Sequence, residues 1–266
     1  MDRRELLTRL RLGSVSFLNA KPLIYGLDAE PRVSLALDVP SRLADLLRTN
    51  AVDVALLPVI DYQRLPGLRL IASGGIASDG PTLTVRIFSK VPIERIETLA
   101  CDPDSHTSVA LAAVIMAERY GRRPKQIDLG QPGLDADTPR LLIGDKVITQ
   151  EPRGFEYQMD LGEAWKELTG LPFVFAAWMA TASADLRGWP ERLAVARQQG
   201  MANVESILAQ YAPALGWPTE IARKYLTEYL EYELTPRHLK AIELFHTLAA
   251  RHGIIASPVD PLRCVN

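Results

Sequence analysis

The length and charge of the chain exclude several functional classes. The chain has 266 residues, of which 47% are hydrophobic and 23% charged, a composition typical of a globular protein with a sizeable core. Its 30 Lys and Arg residues are balanced by 32 Asp and Glu residues. Because no overall positive field results, we expect a small-molecule partner rather than a nucleic acid or an anionic membrane.

The N-terminal segment and the cysteines indicate the compartment. Met1–Leu12 alternates charged and apolar residues and lacks the apolar run of a secretory signal peptide. The sequence has no uncharged apolar stretch of about 18 residues, so no membrane span is predicted. Cys101 and Cys264 do not form a C-x-x-C pair. We therefore predict a cytoplasmic protein without a cysteine-based metal site.

The first part of the chain alternates between strand and helix patterns. Leu10–Phe17 is strand-like and leads through a polar loop into a helix in which Pro22 suits the first turn. Ser41 is predicted to cap a short helix. The nearly continuous apolar run Val52–Ile60 then predicts a parallel strand buried on both faces.

A glycine-rich segment precedes the middle of the chain. Ser73–Pro81 predicts a loop that turns sharply and presents backbone amides to a ligand. The run Thr82–Ser89 beyond it is strand-like, as is Leu99–Cys101. A helix is then predicted after Ser105, with its end at Gly121.

The last part of the chain suggests an inserted lobe. Leu141–Ile143 predicts a buried strand ending at Gly144 and Asp145, and Leu171–Met179 predicts a strand that returns the chain between lobes. From Pro190 onward the pattern is helical and no strand is predicted. Since no internal repeat or low-complexity linker divides the chain, the pattern predicts a second lobe inserted into the first.

Three polar loops follow predicted strands, at Ser14–Asn19, Ser78–Pro81 and Ser105–Ser108. Ligands of open α/β sheets gather at the carboxyl ends of the strands. A helix start adds unpaired N–H donors and partial positive charge, so Ser105–Ser108 is a candidate carboxylate site. The alternative is that Ser105 only caps its helix and Thr107 faces solvent.

Three further side chains are candidates with equally simple alternatives. Asn19 can both donate to and accept from a ligand, but an Asn in such a loop often bonds its own backbone. Asp145 is a candidate acid, base or anchor, or else a helix cap. His106 lies where a ligand carboxylate is expected and could add charge, or else is a surface residue.

Other motifs favour packing over chemistry. The sequence lacks the G-x-G-x-x-G, Walker A and G-x-S-x-G motifs of dinucleotide, nucleotide and α/β-hydrolase sites. No metal-binding spacing links the histidines near the C-terminus. The residues interpreted as packing or surface positions are His238, His246, His252, Tyr225, Tyr229 and Tyr232.

Six strings between about Leu12 and Trp178 carry a family resemblance. They resemble the chorismate dehydratase branch of a menaquinone-biosynthesis family, whereas the helical region after them is only weakly similar. In chain order the strings are GSVSFLNAKPL, DVALLPVIDY, SGGIASDGP, DPDSHTSVAL, LLIGD and LGEAWKELTGLPFVFAAW.

The resemblance implies an α/β fold like that of type 2 periplasmic binding proteins, with two α/β lobes and a ligand cleft between them. We assign residues 1–88 and 180–266 to a discontinuous first lobe and residues 89–179 to an inserted second lobe. The implied reaction removes the ring hydroxyl of chorismate as water and needs no cofactor. The implied partner is this small dianion. A homodimer is a possible assembly.

The resemblance also implies the site residues. It places Asn19 and Ser14 in the first cleft loop, and Thr107 with Ser108 at the carboxylate-binding helix start. Thr84 stands where the family commonly has serine, which keeps a hydroxyl. The second cleft loop and the helix start supply the remaining candidates, Ser78, Asp79, Gly80, Ser105 and His106.

The chain departs from the family pattern at His106, and the base of the implied reaction is open. His106 stands where the family commonly has arginine, which weakens a fixed positive charge. Since no histidine base is evident, we hypothesise that the enolpyruvyl carboxylate of the substrate takes the proton while Asn19 and Thr84 hold the ring. Asp145 is the competing base.

Two rival functions remain open at this point. A sister lyase of the same pathway, which acts on a naphthoate precursor, would be expected to use a cleft histidine as its base. A solute-binding protein of the same fold would bind small anions without turning them over.

Overall fold

The computed structural model describes residues 9–102 and 105–265, which form two mixed β-sheets with helices packed against them. In this part of the chain the strands are β1 (Leu10–Ser14), β2 (Val33–Leu37), β3 (Val54–Pro58), β4 (Leu68–Ser78), β5 (Val85–Ser89), β6 (Thr98–Cys101), β7 (Lys125–Asp128), β8 (Arg140–Ile143), β9 (Tyr157–Asp160), β10 (Phe173–Thr181) and β11 (Cys264–Val265).

The helices surround these sheets and fill most of the C-terminal region. The α-helices are α1 (Pro40–Arg48), α2 (Asp61–Arg64), α3 (His106–Tyr120), α4 (Asp145–Thr149), α5 (Leu161–Thr169), α6 (Trp189–Ala202), α7 (Val204–Tyr211), α8 (Thr219–Lys224) and α9 (Pro236–Arg251). Short 3-10 helices occupy Leu18–Ile24 and Ile93–Arg95, and a π-helical turn covers Tyr225–Tyr229. None of the helices in the described ranges combines the length and apolarity that a bilayer span needs.

The chain crosses between the sheets twice. The first sheet has the strand order β11-β4-β10-β3-β1-β2, and the second has the order β7-β6-β8-β5-β9. The chain therefore leaves the first sheet after β4 and returns to it at β10, which pairs antiparallel with both β3 and β4. This arrangement confirms the prediction of two α/β lobes.

The predicted lobe boundaries stay a prediction, although sheet membership bears on them. Val85–Ser89 pairs within the second sheet, and Phe173–Thr181 pairs within the first. The crossings thus lie between β4 and β5 and between β9 and β10. Residues 1–8 and 266 of the predicted first lobe, with most of the N-terminal segment, lie outside the described residues.

Strand β3 and the end of helix α3 are confirmed as predicted, and helix α5 contributes a buried tryptophan to the core. β3 is buried along its whole length and pairs parallel with β1, as its apolar run indicates. Helix α3 ends at Gly121, whose φ of 64° is left-handed and whose N–H bonds to the carbonyl of Ala117. Trp165 on α5 is fully buried and meets Phe173 and Phe245 edge-on, at centroid distances of 5.3 and 6.0 Å.

Three local predictions are wrong. Helix α1 begins at Pro40 with Val39 as its N-cap, so Ser41 lies inside the first turn. Residues Ser73–Ser78 are the end of strand β4 and not a loop. The C-terminal region contains strand β11, which pairs with β4.

One of the two glycines of β4, Gly75, has a packing role that explains the second of these errors. A Cβ on Gly75 would lie 2.6 Å from the carbonyl oxygen of Ala176, so only glycine lets β4 approach β10 this closely. The glycines of this segment therefore mark close strand packing as well as turn formation. Residues 79–84, which follow the strand, do connect the two lobes.

Candidate active site

One cleft lies between the two sheets and takes residues from both. Most of its lining is apolar, with a few polar groups, so an enclosed ligand would lie in a low-dielectric environment. The lining residues are Val15, Phe17, Asn19, Pro40, Leu56, Pro58, Ile76, Thr82, Thr84, Val85, Ser105, His106, Thr107, Ser108, Ile143, Gly144, Phe175, Ala176, Tyr225 and Leu230.

Helix α3 begins at this cleft. Ser105 is its N-cap residue, and His106, Thr107 and Ser108 form its first turn. The Ser105 hydroxyl makes no capping bond to the helix, and Thr107 is only 4% exposed, so neither fits the simple alternative of a cap or a surface residue. The first N–H groups of a helix have no partner inside it and carry partial positive charge. This helix start can therefore hold a carboxylate.

His106 reaches the cleft from the same helix start and contacts a buried acid. Its Nδ1 lies 3.0 and 2.9 Å from the two carboxylate oxygens of Asp61, a residue that is 2% exposed. Arg64 lies 3.4 Å from the same carboxylate. Because an ionised carboxylate only accepts, His106 carries a hydrogen on Nδ1. Asp61 was not among the site residues predicted from the sequence, although it begins α2 shortly after the buried strand β3.

Asn19 and Thr84 meet at the other side of the cleft through a third residue. Asn19 Nδ2 donates to the hydroxyl of Tyr225 at 3.2 Å, and Thr84 Oγ1 lies 2.8 Å from the same hydroxyl. Asn19 Oδ1 is buried and has no hydrogen-bond partner among the described residues. Asn19 lies on the 3-10 helix Leu18–Ile24, against which α6 packs closely because Gly200 has no Cβ to meet Pro22. The packing of α6 thus positions Asn19.

Tyr225 is a site residue that the sequence analysis assigned to packing. It is fully buried, it lines the cleft, and its ring stacks on Trp217 at a centroid distance of 4.9 Å. Burial raises the pKa of its hydroxyl well above the ordinary value for tyrosine. The side chain is therefore a neutral hydrogen-bonding group. Its near-helical spacing with Tyr229 gave no signal of this, because its partners lie more than 100 residues away in the sequence.

The turn that carries Thr84 is held by a half-buried acid from the second lobe. Asp160 accepts hydrogen bonds from the backbone N–H groups of Thr82 and Leu83 at 2.9 and 2.8 Å, and it also caps helix α5. Burial raises the pKa of Asp160, and the bonds from the turn oppose that shift. Leu83 has a φ of 66°, so the contacts of Asp160 offset the cost of a left-handed residue. Thr84 is thereby fixed relative to the second sheet.

Four predicted binding residues are absent from the cleft lining, namely Ser14, Ser78, Asp79 and Gly80. Ser14 is buried, and its hydroxyl donates to the carbonyl of Val15 at 3.4 Å. The Ser78 hydroxyl donates to the carbonyl of Gly80 at 3.1 Å and so shapes the connection between the lobes. The exposed residue Asp79 pairs with Arg237 at 2.7 Å. Their assignment as binding residues stays a prediction.

Asp145 lies at the start of α4, one residue after the cleft residue Gly144. Its Oδ1 accepts a hydrogen bond of 2.7 Å from the indole Nε1 of Trp217. Burial raises the pKa of Asp145, while Trp217 and the nearby charge of Lys21 counteract this shift. The carboxylate is thus placed beside the cleft lining and not in it.

No group of three or more potential metal ligands occurs within residues 9–102 and 105–265. The polar groups that the cleft offers are hydroxyls, amides, one imidazole and a helix start. These groups can bind carboxylates and a hydroxyl by hydrogen bonds.

The sequence matches one family profile and two named relatives. The profile of the menaquinone-biosynthesis family matches residues 10–251. A chorismate dehydratase of Thermus thermophilus is 28% identical over 242 residues, covering 82% of this chain and 87% of its own. A chorismate dehydratase of Campylobacter jejuni is 26% identical over 240 residues, covering 88% of this chain and 94% of its own.

Solved structures resemble this one in fold. The alkanesulfonate-binding protein SsuA of Xanthomonas axonopodis, bound to MOPS, superimposes with a TM-score of 0.69 at 12% identity and covers 96% of each chain. This likeness confirms the predicted fold of the periplasmic-binding-protein type. The family profile covers most of the chain and includes every cleft-lining residue. The chain belongs to the menaquinone-biosynthesis family.

Proposed function

We propose that this protein dehydrates chorismate to 3-[(1-carboxyvinyl)oxy]benzoate. The ring carbon that bears the ether oxygen gives up its hydrogen as a proton, the neighbouring carbon–hydroxyl bond breaks, and the proton and hydroxide leave as water. The ring becomes aromatic without any change in overall redox state. The proposal applies to this chain the activity by which its two relatives are named.

The observation that carries the proposal is the pairing of two kinds of site in one cleft. The start of α3, with Ser105, Thr107 and Ser108, offers N–H groups and hydroxyls for a carboxylate. Across the apolar lining, Asn19 and Thr84 offer hydrogen bonds suited to a ring substituent. A ring acid with a hydroxyl substituent matches both.

The substrate's own enolpyruvyl carboxylate is the base that we favour. Among the described residues, the cleft lining contains no Asp or Glu side chain. Tyr225 keeps its proton because burial raises its pKa. Asp145, the competing base, lies beside the lining with one oxygen bound to Trp217. A carboxylate of the substrate itself needs no protein base in the cleft, because binding holds it next to the reacting ring.

His106 is proposed to add a hydrogen bond or charge at the carboxylate end. Its contact with Asp61 orients the ring and leaves Nε2 as its other polar atom. The cytoplasm stays the proposed compartment. A homodimer stays the proposed assembly.

The decisive experiment is to incubate the purified protein with chorismate and follow the product by ultraviolet absorbance and mass. We expect an aromatic product that is lighter than chorismate by one water. Chorismate that binds in calorimetry but is recovered unchanged would instead favour the solute-binding function. Turnover of a naphthoate precursor but not of chorismate would favour the sister lyase.

A further inference from the structure

The hydroxyl of Tyr225 joins three separate parts of the molecule at the cleft. Asn19 lies on the 3-10 helix Leu18–Ile24 that follows β1, Thr84 lies in the connection between the lobes, and Tyr225 lies in the π-helical turn of the C-terminal region. The hydroxyl lies 3.2 Å from Asn19 Nδ2 and 2.8 Å from Thr84 Oγ1. All three residues line the cleft.

The direction of the first bond follows from its donor, whereas the direction of the second is assigned from the need of a buried hydroxyl hydrogen for an acceptor. An amide nitrogen only donates, so the Tyr225 oxygen accepts from Asn19. A buried hydroxyl hydrogen needs an acceptor, and Thr84 Oγ1 lies within bonding distance. Tyr225 therefore donates to Thr84, and the hydrogen of Thr84 remains available to a ligand.

The same network leaves Asn19 Oδ1 as a free acceptor in addition to the Thr84 donor. With Nδ2 bound to Tyr225, the other amide atom, Asn19 Oδ1, is buried without a partner among the described residues. A buried acceptor without a partner is costly, so it is expected to be satisfied by a ligand. A free acceptor next to a free donor matches a hydroxyl group, which both donates and accepts.

We propose that Tyr225 is a positioning residue that turns Asn19 into an acceptor and Thr84 into a donor for the ring hydroxyl of the substrate. This inference rests on the proposed function and refines it. Thr84 donates a hydrogen bond to the departing oxygen, which stabilises the charge that develops there as the carbon–oxygen bond breaks. Tyr225 itself transfers no proton.

The surroundings of Tyr225 suit a fixed, neutral bridge. Its ring stacks on Trp217 with an interplanar angle of 16°, and the Trp217 indole is in turn held by Asp145. Burial keeps the pKa of the hydroxyl high, so the bridge stays protonated over the pH range of an assay. A rigid donor–acceptor pair of this kind requires no rearrangement when the substrate binds.

The test compares Tyr225→Phe with Tyr232→Phe. Tyr232 is also buried, but its hydroxyl has no partner among the described residues, so its removal controls for loss of a buried oxygen. We expect Tyr225→Phe to lower kcat by about 10-fold to 100-fold, as when one catalytic hydrogen bond is lost, with KM nearly unchanged. Tyr232→Phe should keep the wild-type kcat.

A double mutant separates positioning from simple structural damage. If Tyr225 acts through Thr84, adding Tyr225→Phe to Thr84→Val should cost much less than Tyr225→Phe alone. The shape of the pH profile should be the same in Tyr225→Phe and the wild type, because burial keeps the Tyr225 hydroxyl protonated over the whole pH range of the assay. If Tyr225→Phe does not fold by circular dichroism, Thr84→Val removes the donor at the end of the bridge and should lower kcat at least as much; an unchanged kcat in Thr84→Val would overturn the inference.

Three further results would overturn the inference. They are a kcat of Tyr225→Phe within twofold of wild type, an effect on KM alone, and fully additive losses in the double mutant. Each leaves the proposed function standing, because the wild type still turns over chorismate. An inactive wild type would overturn both proposals.

Discussion

At the scale of single residues, Asn19 has a side-chain amide of which only the nitrogen is hydrogen-bonded within the described residues. Its amide nitrogen is bound to Tyr225, whereas its oxygen is buried without a partner in the described part of the chain. Replacement by Ala removes both interactions but leaves the carboxylate-binding helix start intact. Turnover should therefore suffer more than binding.

We expect Asn19→Ala to lower kcat by about 100-fold and to change KM by only a few-fold. Steady-state kinetics with chorismate measures both constants. Asn203→Ala is a suitable control, because Asn203 bonds only locally to the carbonyl of Gln199, at 2.8 Å. Unchanged turnover in Asn19→Ala would remove Asn19 from the mechanism.

Asp145 gives a separate prediction about the base. If the substrate carboxylate takes the proton, Asp145→Asn should retain the acidic limb of the kcat/KM profile and lose less than about 10-fold in rate. The loss that remains reflects the weaker bond from Trp217 to an amide oxygen than to a carboxylate. Disappearance of the acidic limb in Asp145→Asn would instead identify Asp145 as the base.

At the scale of elements, His246 connects helix α9 to the residue that follows β3 by a hydrogen bond. Its Nε2 lies 2.9 Å from the carbonyl of Val59, and its Nδ1 lies 3.0 Å from Gln63 Nε2. A carbonyl only accepts, so Nε2 carries the hydrogen and Nδ1 accepts from Gln63. The orientation of the Gln63 amide follows from its bonds to both backbone groups of Asp260. Every contact is thus satisfied by a neutral ring.

The pH dependence of stability follows from this neutral ring. Burial lowers the pKa of His246 to about 4 in the folded state, and its ordinary value is near 6.5. Between these values the unfolded chain binds the proton more tightly, so stability is present above about pH 6.5 and is lost as the pH falls toward 4. The expected loss from this residue is up to about 1.4 kcal/mol per pH unit.

His246→Gln should show a flatter dependence, although it should be less stable than wild type at pH 7 because it loses the fitted ring. Urea unfolding at pH 7, 6 and 5 measures the free energy of unfolding of each protein. Parallel losses in the wild type and the variant would contradict the assignment of this pH dependence to His246.

Sequence patterns predict elements well where one strong signal decides the conformation. The apolar run of β3 and the glycine after α3 each correspond to an observed element boundary within a few residues. The patterns fail where packing partners decide. Position 75 of strand β4 requires glycine because the carbonyl oxygen of Ala176 leaves no space for a side chain. Ala176 is too distant in sequence for any local pattern to reveal this.

The candidate site shows the same division. The helix start at Ser105–Ser108 was predictable, since polar residues there precede a clear helical pattern. The bridge through Tyr225 was not, because Asn19, Thr84 and Tyr225 meet only when both lobes and the C-terminal helices are assembled. Local sequence patterns carry information about helices and strands, but not about contacts between residues that are 141 or 206 positions apart.

At the scale of the whole molecule, Asp79 ties three regions together outside the cleft. It lies in the connection from β4 to β5, and its carboxylate pairs with Lys166 of α5 and with Arg237 of α9. Arg237 also donates to the carbonyl of Gly170, at 2.8 Å. These contacts join the crossing between the lobes, the second lobe and the C-terminal region.

The Arg237 guanidinium, together with Lys166, holds the pKa of the Asp79 carboxyl below its ordinary value near 3.9. A lowered pKa means that the folded state favours the ionised form. The stabilisation is therefore present above about pH 4 and is lost as the pH falls through the folded-state pKa. Exposed ion pairs contribute little each, so the two pairs together should be worth about 1 kcal/mol.

We expect Asp79→Asn to lower the free energy of unfolding by about 1 kcal/mol at pH 7, and the difference from wild type to shrink as the pH falls below about 4. Asp185→Asn is the matched control, because Asp185 also has a lowered pKa but owes it to Arg187, two residues away. Only Asp79→Asn should weaken the cohesion of the lobes, which would appear as faster hydrogen exchange in both β4 and α5. Equal exchange rates in the two variants would show that the ion pairs of Asp79 do not couple the lobes.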